Sequence, residues 1–238
     1  KGDRKILLNR LTNFSIPIFT VPSIEDLLTG SLDIDSLNQI KIEDLLLRDS
    51  INPQNTLLGP GISNSVVCIT GAGGSIGGEL CKEVLYLKPK KLILVEFSEP
   101  NLWQINETLL EFNKDTKIIP VLADVSNKNF LDNLLKDNFV DIIFHAAAYK
   151  HVSLVERNPL QGLKNNIFST KVLCESAIKF GLKKVVLISS DKAVRPMNVM
   201  GVSKRISELI IQSYANMNIE NEKNQNKTKT IFSMVRFG

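Results

Sequence analysis

Nothing in this sequence approaches the ~20 consecutive apolar residues that a membrane-spanning helix needs. The longest strongly apolar stretches, such as Ile142 to Ala148, are strand-sized. Cysteine is scarce: Cys68, Cys81 and Cys174 are widely spaced, odd in number and form no Cys-x-x-Cys pair. That argues against a disulfide framework and for a reducing compartment, with Cys68 reading as a small core residue of an apolar strand. The two histidines, His145 and His151, lie far from any cysteine, so a zinc site has no support and no metal is expected. No long run of one charge exists either. The net charge is +4, and the cluster Lys88, Lys90, Lys91 is too short for a nucleic-acid patch; it reads as a solvated face. What remains is ordinary for a globular protein: 238 residues, 43% hydrophobic and 23% charged, enough for one large α/β domain or one domain and part of a second.

The chain starts at Lys1 and stops at Val235-Arg236-Phe237-Gly238, directly after a strand-like run, and reads as a piece of a longer protein. Residues 1–55 read as the tail of an upstream domain plus a linker, being too small to hold a core. Within them, residues 16–22 suggest a short strand. Ser23 and Asp26 suggest a capping box opening a helix, and residues 42–46 a similar start. Asn52 to Asn64, with turn signals around Gly59-Pro60-Gly61, reads as a boundary. From there to residue 238 strands and helices alternate. Strands are expected at 66–70, 92–96, 118–122, 141–145, 184–189 and 231–235, and helices at about 76–87, 100–112, 127–136, 160–180 and 202–216. This is the signature of βαβ units in a parallel, doubly wound Rossmann-type sheet with helices on both faces. Residues 217–229, rich in Asn and Lys, read as a mobile loop.

The first strand of the series runs straight into Gly71-Ala72-Gly73-Gly74-Ser75-Ile76-Gly77, and a helix follows. One glycine allows the tight turn, another the approach of a pyrophosphate to backbone, and the last the close packing of helix on strand. The helix N-terminus then holds the phosphates, with Gly71, Gly74, Ser75, Ile76 and Gly77 as cofactor contacts. A nucleoside-triphosphate loop is rejected: Gly73 and Gly78 have its spacing, but Glu79-Leu80 stands where Lys-Ser/Thr is required. The second strand ends at Glu96, whose carboxylate suits ribose hydroxyls and repels a 2′-phosphate, favouring NAD over NADP. Asp124 and Val125, after the third strand, are placed to meet the adenine. Ala146 and Ala147, after the fourth, leave room for the cofactor to cross the backbone.

After the fifth strand come Ser189-Ser190-Asp191-Lys192. Met200 and Lys204 follow, one helical turn apart. Taken with Thr70 to Gly77, His145 to Val152, Ser189 to Pro196, Asn198 to Gly201, Ser203-Lys204-Arg205 and Val235 to Gly238, these residues resemble the extended short-chain dehydrogenase/reductases. Within that superfamily the chain resembles the UDP-N-acetylglucosamine 4,6-dehydratases of surface polysaccharide biosynthesis, in their long, membrane-anchored branch. The resemblance covers residues 65–238, and the segment before it resembles the end of the extra domain of the long members. Most of the superfamily has Tyr where this chain has Met200, and a thioether cannot exchange a proton; the long dehydratases share the Met. A further domain, which holds the nucleotide of the substrate, follows Gly238 in the family.

The resemblance implies transient oxidation of sugar C4 by NAD, removal of the C5 proton and loss of the C6 hydroxyl as water. It implies Asp191 as acid, Lys192 as C5 base, Ser190 on the C4 hydroxyl and Lys204 on the nicotinamide ribose, with water or Asp191 replacing the missing Tyr. An acid and a base acting on adjacent carbons belong on one loop. Lys150, His151 and Asn198 are implied substrate contacts, Asn166 a polar support and Arg195 a structural residue. A UDP-sugar substrate, a homo-oligomer and a cytoplasmic location on a membrane-anchored parent are implied as well. Taken singly, the same residues read more blandly: Asp-Lys as an exposed turn, Met as core, the Ser pair as a cap. Three other functions remain open. An epimerase would not need Asp191-Lys192. A non-catalytic NAD(H) sensor would not need Asp191, Lys192 and Lys204 together. A simple alcohol dehydrogenase would lack its Tyr acid.

Overall fold

The computed structural model describes residues 19–20, 38–39, 55–113, 115–222 and 230–238. The chain divides into two compact units, residues 1–54 and 55–238. In the first, β1 (Phe19–Thr20) pairs antiparallel with β2 (Asn38–Gln39). The expected strand over 16–22 is described there at two residues, and the expected helix starts at Ser23 and Ile42 lie outside the described residues.

The second unit opens with α1 (Asn55–Ile62), inside the stretch expected to be a boundary of turns. Ile62 packs against the core below it and Ser63 donates its backbone N–H to Gly59 O at 2.9 Å, so tertiary contact holds a helix that the Gly-Pro-Gly composition argues against. Strands and helices then alternate: β3 (Val66–Thr70), α2 (Ser75–Tyr86), β4 (Lys91–Glu96), α3 (Glu99–Phe112), β5 (Lys117–Leu122), α4 (Lys128–Asn138) and β6 (Ile142–His145). Two short helices follow, α5 (Val152–Arg157) and α6 (Pro159–Leu163), then a π-turn (Lys164–Phe168), α7 (Ser169–Phe180), β7 (Lys184–Ser190), a 3₁₀ turn (Asp191–Ala193), α8 (Val199–Glu222) and β8 (Ile231–Phe237). All six expected strands form, within two residues of their expected ends.

The helices depart further from expectation. The single helix expected over 160–180 is α6, a π-turn and α7, with α5 ahead of it. The expected loop from Met217 is helical as far as Glu222, because a helix already formed extends at one hydrogen bond per residue; residues 223–229 lie outside the described ones. Among the described residues no helix is long and apolar enough to cross a membrane.

The strands lie in the order β5-β4-β3-β6-β7-β8, every pair parallel. This is the doubly wound order of a Rossmann-type fold. Alternate residues of each central strand face opposite sides. Val66, Cys68, Ile93, Val95, Ile143, Val185 and Leu187 pack against Leu131, Leu135, Leu173, Ala177 and Ile211. Val67, Ile69, Leu92, Leu94 and Ile142 pack against Cys81, Val84, Leu102, Ile105 and Leu109. Both faces are thus dry, which explains the continuous apolar runs of the central strands. All three cysteines are free and buried. The chain reverses its winding between β3 and β6, the place where such sheets open a crevice at the carboxyl ends of their strands.

Candidate active site

That crevice is a cleft of about 750 Å³. Its first wall is the glycine loop, contributing Gly71, Gly74, Ser75, Ile76 and Gly77. Gly71 takes φ +69°, and a Cβ there would sit 2.6 Å from the backbone N of Ala147. A Cβ on Gly77 would lie 1.9 Å from Gly71 O, so helix α2 can close onto the loop only without a side chain. The α2 N-terminus faces the space this leaves. An anion of diphosphate size fits such a cradle of N–H groups and helix dipole.

The other walls come from three more strand ends and the helices between them. Ala146, Ala148, Tyr149, Lys150 and His151 follow β6; Leu154 and Val155 belong to α5, Gln161 and Gly162 to α6, and Asn158 joins the two. Ile188 to Lys192 close β7, Met200 and Lys204 project from α8, and Phe237 and Gly238 end β8. The cleft thus gathers Gly71, Gly74, Ser75, Ile76, Gly77, Ala146, Lys150, His151, Ser190, Asp191, Lys192, Met200 and Lys204, all singled out from the sequence. The α5–α6 residues carried no sequence signal, because that helix pair was itself not legible.

Five singled-out residues stand elsewhere. Glu96 lies at the end of β4, beside the glycine loop. Its carboxylate accepts the backbone N–H of Gly73 at 3.0 Å, Phe97 at 2.9 Å and Ser98 at 3.0 Å. Asp124 accepts Ser126 N–H at 2.8 Å in a turn after β5, while Asn127 caps α4. Val125 is core, 6% exposed. Ala147 presents its backbone to Gly71. Asn198, expected to contact substrate, instead accepts Gly201 N–H at 2.8 Å and caps the start of α8.

The polar centre is a short loop. Lys192 Nζ stands 3.3 Å from Asp191 Oδ1, and both side chains are about half exposed. Ser190 Oγ donates to Asp191 Oδ1 at 2.9 Å and accepts Lys192 N–H at 3.2 Å. The Ser190 hydrogen bond, then that of Lys192, holds the Asp191 carboxyl below the usual carboxylate range. Gly201 lets α8 approach this loop, since a Cβ there would meet Lys192 O at 2.5 Å.

Below the loop, Met200 is 3% exposed and Lys204 8% exposed. Lys204 Nζ donates to Ile188 O at 2.9 Å, and burial pulls its pKa down to about 8 against the opposing pull of Glu208. His145, fully buried, shares a 2.7 Å hydrogen bond with Thr70 Oγ1 and a longer one with Ser169 Oγ. Burial, then the Lys204 charge, pushes its pKa down to about 3, so it is a neutral link between β3, β6 and α7. Asn166, at the π-turn, accepts Tyr149 N–H at 2.8 Å and donates to Tyr149 O at 3.1 Å and Ser203 Oγ at 2.8 Å. It therefore supports the Tyr149-Lys150 wall and α8 at once, and its π-turn frees the geometry needed. Glu208 was missed by sequence reading. Its only signal was its place one turn after Lys204.

Comparison with known proteins places this geometry. A family model described as polysaccharide biosynthesis protein matches residues 67–238. The capsular polysaccharide biosynthesis protein CapD of Staphylococcus aureus is 39% identical over 97% of this chain and 37% of its own length. A UDP-glucose 4-epimerase of Rickettsia bellii is 32% identical over 74% of this chain and 49% of its own. An inverting UDP-N-acetylglucosamine 4,6-dehydratase of Campylobacter jejuni is 34% identical over 72% of this chain and 48% of its own. The chain spans less than half the length of these relatives.

Proposed function

The chain belongs to this polysaccharide biosynthesis family, and from that premise we propose that it is the cofactor-binding part of an NAD-dependent nucleotide-sugar 4,6-dehydratase, a hydro-lyase acting on UDP-N-acetylglucosamine. The observation that carries the reading is the Asp191–Lys192 pair, 3.3 Å apart on the wall of the cleft that Met200 and Lys204 also line. Removal of water across two adjacent carbons needs one group to protonate the leaving hydroxyl and another to take the carbon-bound proton.

The glycine cradle fits the cofactor diphosphate, and the fixed negative charge of Glu96 favours NAD over NADP. NAD, when bound, supplies a hydride acceptor that later returns the hydride. Asp191, held ionised, accepts the C4 hydroxyl proton as C4 is oxidised to the ketone, which replaces the proton exchange that Met200 cannot perform. Lys192 takes the C5 proton. Asp191 gives its proton to the departing C6 hydroxyl, so one water leaves and both residues are ready to reset: Lys192 returns a proton to C5 as C6 is reduced. Ser190 orients Asp191 and the C4 hydroxyl, and Lys204 holds the nicotinamide ribose. Lys150 and His151 line the substrate side of the cleft.

The test is to incubate the parent protein with UDP-N-acetylglucosamine in deuterated water and follow the sugar by mass spectrometry and NMR. Loss of one water with deuterium at C5 is expected, and Lys192→Ala abolishes it. A sugar altered only at C4 would instead favour the epimerase reading, which the Rickettsia relative supports. An unchanged sugar from a protein that still carries NAD would sink the UDP-N-acetylglucosamine assignment and move weight to another nucleotide sugar or to an NAD(H) sensor.

A further inference from the structure

Glu208 is, among the described residues, the one buried carboxylate, and its side chain is 0% exposed. It lies on α8 and reaches two strands. Ser189 Oγ, on β7, donates to Oε1 at 2.7 Å. Arg236, on β8, takes both oxygens in a fork, Nε donating to Oε1 and Nη2 to Oε2, each at 2.7 Å. Arg205, one turn earlier on α8, donates to Oε2 at 3.0 Å. A carboxylate buried among cations gains little stability over apolar packing, but a two-pronged guanidinium fixes distance and angle. What it fixes here is the ends of β7 and β8.

Ser189 and Arg236 stand opposite each other in the β7–β8 ladder, and the next facing pair is Ser190 and Phe237. Successive residues of a strand point to opposite faces, so the pair held by Glu208 turns toward α8 and the following pair turns away. Ser190, Phe237 and Gly238 line the cleft, whereas Glu208 and Arg236 do not. Both strand ends then meet Asp191. Ser190 Oγ donates to Asp191 Oδ1 at 2.9 Å. Gly238 lies so near that a Cβ added to it would stand 3.5 Å from Asp191 Cβ. One buried carboxylate thus sets the register of the two strand ends that bear on Asp191.

We propose that Glu208 is a positioning residue for Asp191: by clamping Ser189 to Arg236 it sets the strand ends that hold the Asp191 carboxylate, without itself touching substrate or cofactor. That Asp191 then transfers protons rests on the function proposed above; the clamp on its position does not.

The test reads the position of Asp191 and its consequence separately. The protein is labelled with ¹³C and ¹⁵N and observed by NMR at neutral pH, the Asp191 carboxyl signal being assigned by its loss in Asp191→Asn. A Gln amide cannot accept the arginine fork at both atoms. In Glu208→Gln the signals of Ser190, Asp191 and Lys192 are therefore expected to shift while those of Gly71 to Gly77 stay in place. Arg236→Lys keeps the charge and loses the fork, so the same shift there is one of geometry. That variant leaves no buried charge unpaired and repeats the test should Glu208→Gln not fold. The proposal is overturned if residues 190–192 keep their signals, or if the glycine loop shifts as much as they do, which is general loosening. In the parent protein, displacing Asp191 by about 1 Å should lower kcat for UDP-N-acetylglucosamine about 10²-fold, with KM and NADH affinity almost unchanged. Loss of NADH affinity in step with kcat also overturns the proposal. A wild-type parent that leaves UDP-N-acetylglucosamine unchanged sinks that substrate assignment, while the NMR shifts still decide the role of Glu208.

Discussion

Replacing His145 with Asn should flatten the pH dependence of folding in mildly acidic solution. In the folded chain His145 is sealed between Thr70 and Ser169, and its pKa is pushed from 6.5 down to about 3. As pH falls below 6.5 the unfolded chain takes up a proton at this position and the folded chain does not. The folded state is thus fully favoured above about pH 6.5 and loses ground progressively down to about pH 3. At about pH 5 the gap is 1.5 pH units, or about 2 kcal/mol. With an m-value of roughly 2 kcal/mol/M, the urea midpoint of the wild type should drop by about 1 M between about pH 7 and about pH 5. The carboxylates with depressed pKa values, Glu208, Asp132 and Asp191, lose their contribution at lower pH, and Lys204 is protonated in both states through this window. His151 is common to both proteins and cancels in the comparison. His145→Asn lowers stability at every pH by weakening the buried network, yet its urea midpoint should change far less across the window. Equal pH slopes in the two proteins, measured by circular dichroism, would refute the claim that His145 is buried neutral.

Three further outcomes follow from the same geometry. Gly77→Ala places a Cβ 1.9 Å from Gly71 O, so the glycine loop must open; NADH binding should be lost while the melting curve remains cooperative. Gly201→Ala pushes on Lys192 O, and a shift of that loop approaching 1 Å should cost about 10²-fold in turnover of the parent protein with NADH affinity almost unchanged; equal losses in both would contradict the separate roles given to the loop and the cradle. Burial pushes the thiols of Cys68, Cys81 and Cys174 up to about 12, so a thiol-reactive dye should label none of them until urea unfolds the chain.

The alternation of apolar strands with amphipathic helices was enough to place all six strands of the sheet and its Rossmann class. A doubly buried strand must be apolar along its whole length, and only a parallel sheet between two helix layers asks for that so often. Gly71 and Gly77 were legible for a related reason: backbone meets backbone so closely at the turn that no other residue fits. Asp191, Lys192, Met200 and Lys204 were named through the family resemblance, which could be seen because they lie close in sequence, on one loop and one helix face. Tertiary structure decided what sequence spacing cannot carry. It broke the helix expected over 160–180 at a π-turn, where Asn166 reaches back to Tyr149, 17 residues earlier. It made Asn198 a helix cap outside the residues lining the cleft, and turned the Glu96 carboxylate onto the backbone of its own loops. It also joined Glu208 to Arg236, 28 residues away, and His145 to Thr70, 75 residues away. The charge state of a buried group depends on who stands beside it in space, and for His145, Lys204 and Glu208 those neighbours come from strands and helices that only the folded sheet brings together.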